Sequence, residues 1–357
     1  MASAQLAAIK RYLRWRPRRA VGFAVLSAIS AVLLVVAGRS TEGFGRDIWL
    51  NLGASMVIVA FSYLIFDPLF EDARKARVEE HLRFDHDAFS ANVAASTSSV
   101  SILETWTGLL EDRYRPAFLA ALQEALERRV VARFLLLDPD SAAADARAEE
   151  LEHVPVRRFI MDNLRHLDEL SRDLPPGSRE RLVVRVYDAL PSIQLYQWDD
   201  KALFSFFPIG VRAYDAPQLE AYVSSPWGEF VRGRFDELWQ HESTRGLDEY
   251  MALRLVIRLD EADLAKCEAP FVRHDTQWYV DGSAFVDHLT DHGIGRLSVR
   301  TARLEDGDVF SLLRVSEQEP TRPELLNLFE AKYGPAPGAD HRLVLRLVAA
   351  EPARVVA

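Results

Sequence analysis

Apolar residues are spread along this chain in distinct regimes. Ala20–Gly38 (AVGFAVLSAISAVLLVVAG) and Ile48–Phe66 (IWLNLGASMVIVAFSYLIF) are each 19 residues without a charge. As helices they would be about 28 Å long, close to the roughly 30 Å hydrocarbon core of a bilayer. From Asp67 to about Val93 the apolar positions Leu69, Phe70, Ala73, Ala76, Val78, Leu82 and Phe89 recur mostly at three- and four-residue steps among charges of both signs. That pattern predicts a solvated helix, with Pro68 in its first turn. The small, polar stretch 94–99 predicts a loop and a domain boundary.

Between 99 and 245 strand-like and helix-like patterns alternate. Val100–Leu110, Val130–Leu137, Leu182–Tyr187, Ser192–Trp198, Ala202–Phe207 and Gln218–Val223 read as strands. Pro116–Arg129, Val156–Leu174 and Trp227–His241 have helical spacing. This order predicts an α/β layer fold. From Tyr250 onward, Met251–Leu259, Gln277–Val280, Arg296–Leu304, Val309–Val315 and Arg342–Val348 read as strands, with helices over Ala284–His292 and Pro323–Tyr333. The order is α+β and compatible with a ferredoxin-like sandwich, into which 261–280 does not fit.

Charge turns the two apolar runs into a topology. Residues 1–19 carry six basic groups and no acid, and Arg74, Lys75 and Arg77 follow the second run. The positive-inside bias then predicts a multi-pass protein of the bacterial inner membrane with both termini cytoplasmic. Ala24 with Ala28, and Ser27 with Ala31, predict a close-packing face on the first helix. The expected organisation is a basic terminus (1–19), a transmembrane hairpin (20–66), a connector helix (67–98), an α/β domain (99–245) and a C-terminal α+β domain (250–357).

Composition removes several classes. The chain of 357 residues has a net charge of −10, against a nucleic-acid coat protein. Its one cysteine, Cys267, excludes a disulfide framework and multi-cysteine metal sites. His288 and His292 lie four apart, but their spacer Leu-Thr-Asp lacks the glutamate of a metalloprotease helix, and Asp85-His86-Asp87 reads as a charged helical face. Gly293-Ile294-Gly295 lacks a third glycine and no Walker A motif occurs, so neither cofactor nor metal is implied.

Four segments, SILETWTGLL (101–110), RFLLLDPDS (133–141), VRVYDALPSIQLYQWDDKALFSF (184–206) and FVRGRFDELW (230–239), resemble a half-domain of the phospholipase D superfamily. The resemblance covers 99–245 and implies a phospholipase-D-like α/β sandwich. It also implies a motif His-x-Lys, four residues, Asp, in which the histidine forms a phosphoenzyme and the lysine holds the phosphate. Aligned on Asp199, those two positions hold Ser192 and Gln194. Serine has no adjacent base and glutamine supplies no positive charge, which argues against retained catalysis.

Alternation along the strand places Tyr196 and Trp198 on one face with Ser192 and Gln194. With Asp199, Asp200 and Lys201 these are the candidate ligand-binding residues, in a cleft that kept a ligand after losing chemistry; a filled core is the other outcome. The expected function is a membrane-anchored cytoplasmic sensor or regulator binding an unknown small molecule or protein. The alternatives are a membrane-tethered phosphodiesterase or nuclease with divergent residues, and a signal-activated membrane-disrupting effector. The partners expected are the lipid bilayer and further copies of the chain, through hairpin and connector.

Overall fold

The computed structural model describes residues 17–39, 47–59, 77–190, 192–259, 262–283, 285, 301–304, 307–335 and 342–349. The chain divides into two compact units, 1–78 and 79–357. In the first, helix α1 (Pro17–Arg39) is followed by helix α2 over 47–59. Small residues let the two backbones approach: Ser30 donates to the carbonyl of Gly53 at 3.0 Å, and a Cβ at Gly53 would lie 2.8 Å from Leu34. The buried face of α1 is Ser30 and Ala37, whereas Ala28 and Ala31 of the expected face are exposed. Val25, Val32, Val35 and Ile58 point outward.

Among the described residues no helix is long and apolar enough to cross a membrane. A bilayer core needs roughly 30 Å. The expected transmembrane helices, and with them the multi-pass inner-membrane location with cytoplasmic termini, are therefore corrected. Residues 60–66 of the second apolar run lie outside the described residues.

The second unit opens with a sheet and its helices: β1 (Glu79–His81), α3 (His86–Ala95), β2 (Ser99–Glu104), α4 (Arg115–Glu127), β3 (Val131–Leu137), α5 (Ala142–Glu150), α6 (Val156–Asp173), α7 (Pro176–Arg179), β4 (Leu182–Tyr187), β5 (Ile193–Trp198), β6 (Lys201–Phe206), β7 (Gln218–Tyr222), α8 (Pro226–Gln240) and β8 (Arg245–Gly246). The strand order is β1-β7-β6-β5-β2-β3-β4-β8. Strands β2, β3 and β4 run parallel, and β5 reverses beside β2. Strand β3 is almost wholly apolar because both faces are covered: Phe134, Leu135, Leu136 and Leu137 are all buried. Helix α4 buries Phe118, Leu122, Ala125 and Leu126, and α8 buries Val231, Phe235 and Leu238.

Two local expectations give way. The charged helix expected to run through to Val93 is, in its described part, a short edge strand and a separate helix. Strand β1 pairs with β7, and the Asp85 carboxylate caps α3 by accepting from Ala88 N at 3.0 Å. The strand expected over Val100–Leu110 stops at Glu104. Thr107 then caps a 3-10 turn over Gly108–Leu110, its Oγ1 accepting from Leu109 N at 3.2 Å.

After α9 (Leu247–Met251), the C-terminal part contains β9 (Ala252–Leu259), β10 (Ala262–His274), β11 (Gln277–Asp281), β12 (Thr301–Leu304), β13 (Val309–Arg314), α10 (Arg322–Tyr333) and β14 (Val344–Ala349). These strands close into a barrel, β10-β11-β14-β13-β12-β9, with antiparallel pairing throughout. The ferredoxin-like sandwich is therefore corrected. The segment that fitted no sandwich, 261–280, supplies the whole of the 13-residue β10. This strand bulges between Asp263 and Ala265, pairs with β9 in its first half and with β11 in its second, and so turns the corner that closes the barrel. Leu253, Leu255, Ile257, Ala269, Val280 and Leu347 fill one core, and Val272, Tyr279, Leu325, Phe329 and Val344 form another with α10. Cys267 is buried in the first core, and burial together with Glu268 pushes its thiol up to about 12, so it is an inert packing group. His288, His292 and Gly293–Gly295 lie outside the described residues.

Candidate functional site at the carboxyl edge of the sheet

The motif strand does not line one cleft. Ser192 is exposed just before β5, where its Oγ accepts from Arg234 Nε at 3.3 Å. Gln194 and Tyr196 are fully buried. Trp198 is half-buried, edge-on to Phe89 at 5.7 Å. Asp199 lies about 20 Å from Ser192, at the opposite edge of the sheet. There it takes a left-handed backbone (φ 47°) in the β5–β6 turn. Its carboxylate accepts from the backbone N–H groups of Thr97, Ser98 and Ser99 and from the Thr97 and Ser98 hydroxyls. Partial burial would raise this carboxyl, but those hydrogen bonds outweigh burial and hold it below its ordinary value. Asp199 thus ties the β5–β6 turn to the start of β2. Asp200 is exposed, and Lys201 pairs with Glu220 on β7.

At the other edge, the carboxyl ends of β1, β2, β3, β4 and β6 meet the amino ends of β5 and β7. Gln194 faces Ser205, and His81 faces Gln218. One further step along each ladder sets Glu104 beside Gln194 and Ser205 beside Gln218. Glu104, Gln194, Ser205, Gln218 and His81 therefore form a polar row across five strands, on one face. Among the described residues, neither atom of the Gln194 amide has a hydrogen-bond partner, nor does Gln218 Oε1. Glu104 accepts from Thr105 N at 2.9 Å and lies 3.5 Å from the Tyr196 hydroxyl. Burial pushes its carboxyl up to about 8, only partly opposed by Thr105, Arg147 and Tyr196, so it is neutral at pH 7. The Tyr196 hydroxyl also bonds Thr107 Oγ1 at 2.9 Å, and Asn163 of α6 accepts from Thr107 N at 2.6 Å.

The concave site lies on this same edge, beside the row. A pocket of about 660 Å³ is lined by segments that follow β1 (Arg83 to Asp87), β2 (Glu111, Arg113, Tyr114) and β6 (Arg212, Tyr214, Asp215). Ligands of open α/β sheets bind at carboxyl edges where strand direction or order switches, and the β2–β5 reversal is such a place. His86 stacks on Tyr114 (4.1 Å, 6° between planes) and meets Tyr214 and Phe84 edge-on at 5.5 and 4.8 Å. Gly108 permits this: a Cβ there would lie 2.6 Å from His86 Nε2. Burial lowers the His86 pKa, outweighing Asp85, Asp87 and Asp215, with Arg113 acting in the same direction as burial. Guanidiniums cover the tyrosines, Arg113 over Tyr114 at 5.1 Å and Arg212 over Tyr214 at 4.8 Å. Phe84 links pocket and core, its ring 4.3 Å from that of Tyr196.

None of the residues named from the sequence on or after this strand lines the pocket. Tyr196 backs the site through Phe84, Gln194 lies in the adjoining row, and Trp198, Asp199, Asp200 and Lys201 are elsewhere. His86, Tyr114, Tyr214, Arg113 and Arg212 were missed. Asp85-His86-Asp87 was the one local signal among them, and it read as a solvated helix because nothing in the sequence showed that β1 joins the sheet.

No family model and no curated protein matches the chain. Among solved structures, TrmBL2, an archaeal chromatin protein with a novel mode of DNA binding, is similar at 10% identity, covering 56% of this chain and 68% of its own, with a TM-score of 0.30. Nuc from Salmonella typhimurium, a phospholipase D family member, is similar at 10% identity over 48% of this chain and 95% of its own, with a TM-score of 0.29. Scores at this level do not establish a shared fold, and the functional reading rests on the residues of this chain.

Proposed function

We propose that this chain is a non-catalytic regulatory protein that binds a small ligand in the pocket formed by His86, Tyr114 and Tyr214. The observation that carries this reading is the pocket itself, about 660 Å³ at the carboxyl edge, with a preformed aromatic and arginine lining. The positions that would carry phosphodiester chemistry in the resembled superfamily hold Ser192, bonded to Arg234, and a fully buried Gln194. A Phe84–Tyr196 contact gives a bound ligand a route to the centre of the sheet.

The test is a thermal-shift screen of the full-length chain with a metabolite library spanning anionic, neutral and cationic compounds. Binding stabilises the folded state by about 2.7 kcal/mol at a hundredfold excess over Kd. At least one compound is expected to raise Tm, and Tyr214→Ala is expected to remove the rise. Turnover of a chromogenic phosphodiester that disappears in Ser192→Ala would overturn the non-catalytic reading.

A further inference from the structure

Resting on that reading of the pocket, we propose that its ligand is an organic phosphate, a phosphomonoester on a body about the size of a nucleoside. The lining carries three arginines and four carboxylates, and each carboxylate already has a place in the fold. Asp85 caps α3 through Ala88 N, Asp215 accepts from Arg212 Nε at 2.9 Å, and Glu111 accepts from the Tyr214 hydroxyl at 3.0 Å. Asp87 sits in the first turn of α3, where a carboxylate complements the helix dipole. Arg83 and Arg113 line the pocket with no ion pair among the described residues.

These guanidiniums are suited to phosphate. A phosphomonoester carries about −1.5 to −2 charge at pH 7, matched by two cations, and a guanidinium presents paired donors to its oxygens. The Arg113 guanidinium lies over the Tyr114 ring at 5.1 Å, so less side-chain freedom is lost on binding. The aromatic faces are not themselves free to sandwich a ring. Tyr114 lies between Arg113 and His86, and His86 is hemmed in by Phe84 and Tyr214. Tyr114 therefore backs the Arg113 guanidinium on one side. The volume leaves room for an organic body beside the phosphate.

The experiment is isothermal titration of the full-length chain with AMP, ribose 5-phosphate, inorganic phosphate and adenosine. AMP and ribose 5-phosphate should bind, and adenosine should bind at least tenfold more weakly than AMP. Arg83→Gln and Arg113→Gln should each weaken AMP at least tenfold while circular dichroism and Tm of the free protein stay unchanged. Adenosine binding as tightly as AMP, or either variant retaining wild-type affinity, would overturn the proposal. A neutral or cationic metabolite whose Tm rise is lost in Tyr214→Ala but kept in Arg113→Gln would overturn the phosphate assignment and leave the ligand-binding reading standing. Silence of all four probes and of the whole metabolite library would overturn both.

Discussion

Glu104 shows how far a residue's place in the fold can alter its chemistry. It ends β2, is buried, and its carboxyl is pushed from an ordinary value near 4.5 up to about 8, chiefly by loss of water. The folded chain then holds a proton that the unfolded chain releases between those values. Stability contributed by this group is complete below about pH 4.5 and is lost as pH rises through about 8. Glu104→Gln keeps the neutral shape, so its denaturant midpoint should fall less than that of the wild type between pH 5 and pH 8. Equal falls would mean that Glu104 is ionised in the folded state. A buried acid of this sort is invisible in SILETW, where Glu104 reads as the polar end of a strand.

At the scale of elements, the site depends on how a turn and a helix start meet. The 3-10 turn after β2 places Gly108 under the first residue of α3, and the absent Cβ leaves room for the His86 ring. In Gly108→Ala the new carbon would lie 2.6 Å from Nε2, so the imidazole must shift off Tyr114. Overpacking of this kind typically costs about 1–3 kcal/mol. We expect a lower Tm together with a changed histidine ring signal in NMR; a variant with unaltered Tm and His86 resonances would show that the contact is loose. Element identities were largely readable beforehand. Val156–Asp173 forms the amphipathic helix that Ile160, Leu164 and Leu167 predict, and Leu182–Tyr187 is a strand with the expected limits. The start of α3 was not readable, because the run of charges around it is compatible with helix, strand or turn.

At the scale of the whole second unit, the barrel is fastened to the sheet domain through α9 and α10. The Tyr333 hydroxyl donates to the carbonyl of Met251 at 2.6 Å and accepts from Phe271 N at 2.7 Å. Arg165 of α6 donates to the carbonyl of Ala331 at 3.1 Å. Beside them, Lys332 sits over the rings of Phe271, Tyr250 and Tyr333 at 3.7, 4.3 and 5.6 Å. Burial lowers its amine to about 7, with Arg245 acting the same way and Asp140 and Asp138 opposing. The unfolded chain would keep that proton up to about 10.5, so stability should rise with pH from about 7 to 10. Lys332→Met removes the titrating group and keeps the stem's packing. Its urea midpoint should be flatter than that of the wild type over this window, and an identical pH slope would refute the assignment.

What the sequence determined by itself is what local pattern controls. Alternation and helical spacing set the α/β order of 99–245, and the residues at the aligned motif positions, Ser192 and Gln194, are a matter of identity alone. Uncharged length suggested two membrane spans, but a count of apolar residues does not establish a spanning helix, and among the described residues none is long and apolar enough. Tertiary structure decided three things that depend on pairing over distance. It bent 262–274 to pair with two strands and so closed a barrel. It anchored Asp199 on Thr97, Ser98 and Ser99, away from any cleft. And it gathered His86, Tyr114 and Tyr214, spread over more than a hundred residues, at one sheet edge. The reason is common to all three: a strand's hydrogen bonds and a pocket's walls come from segments remote in the chain, and neither periodicity nor composition records which remote segments will meet.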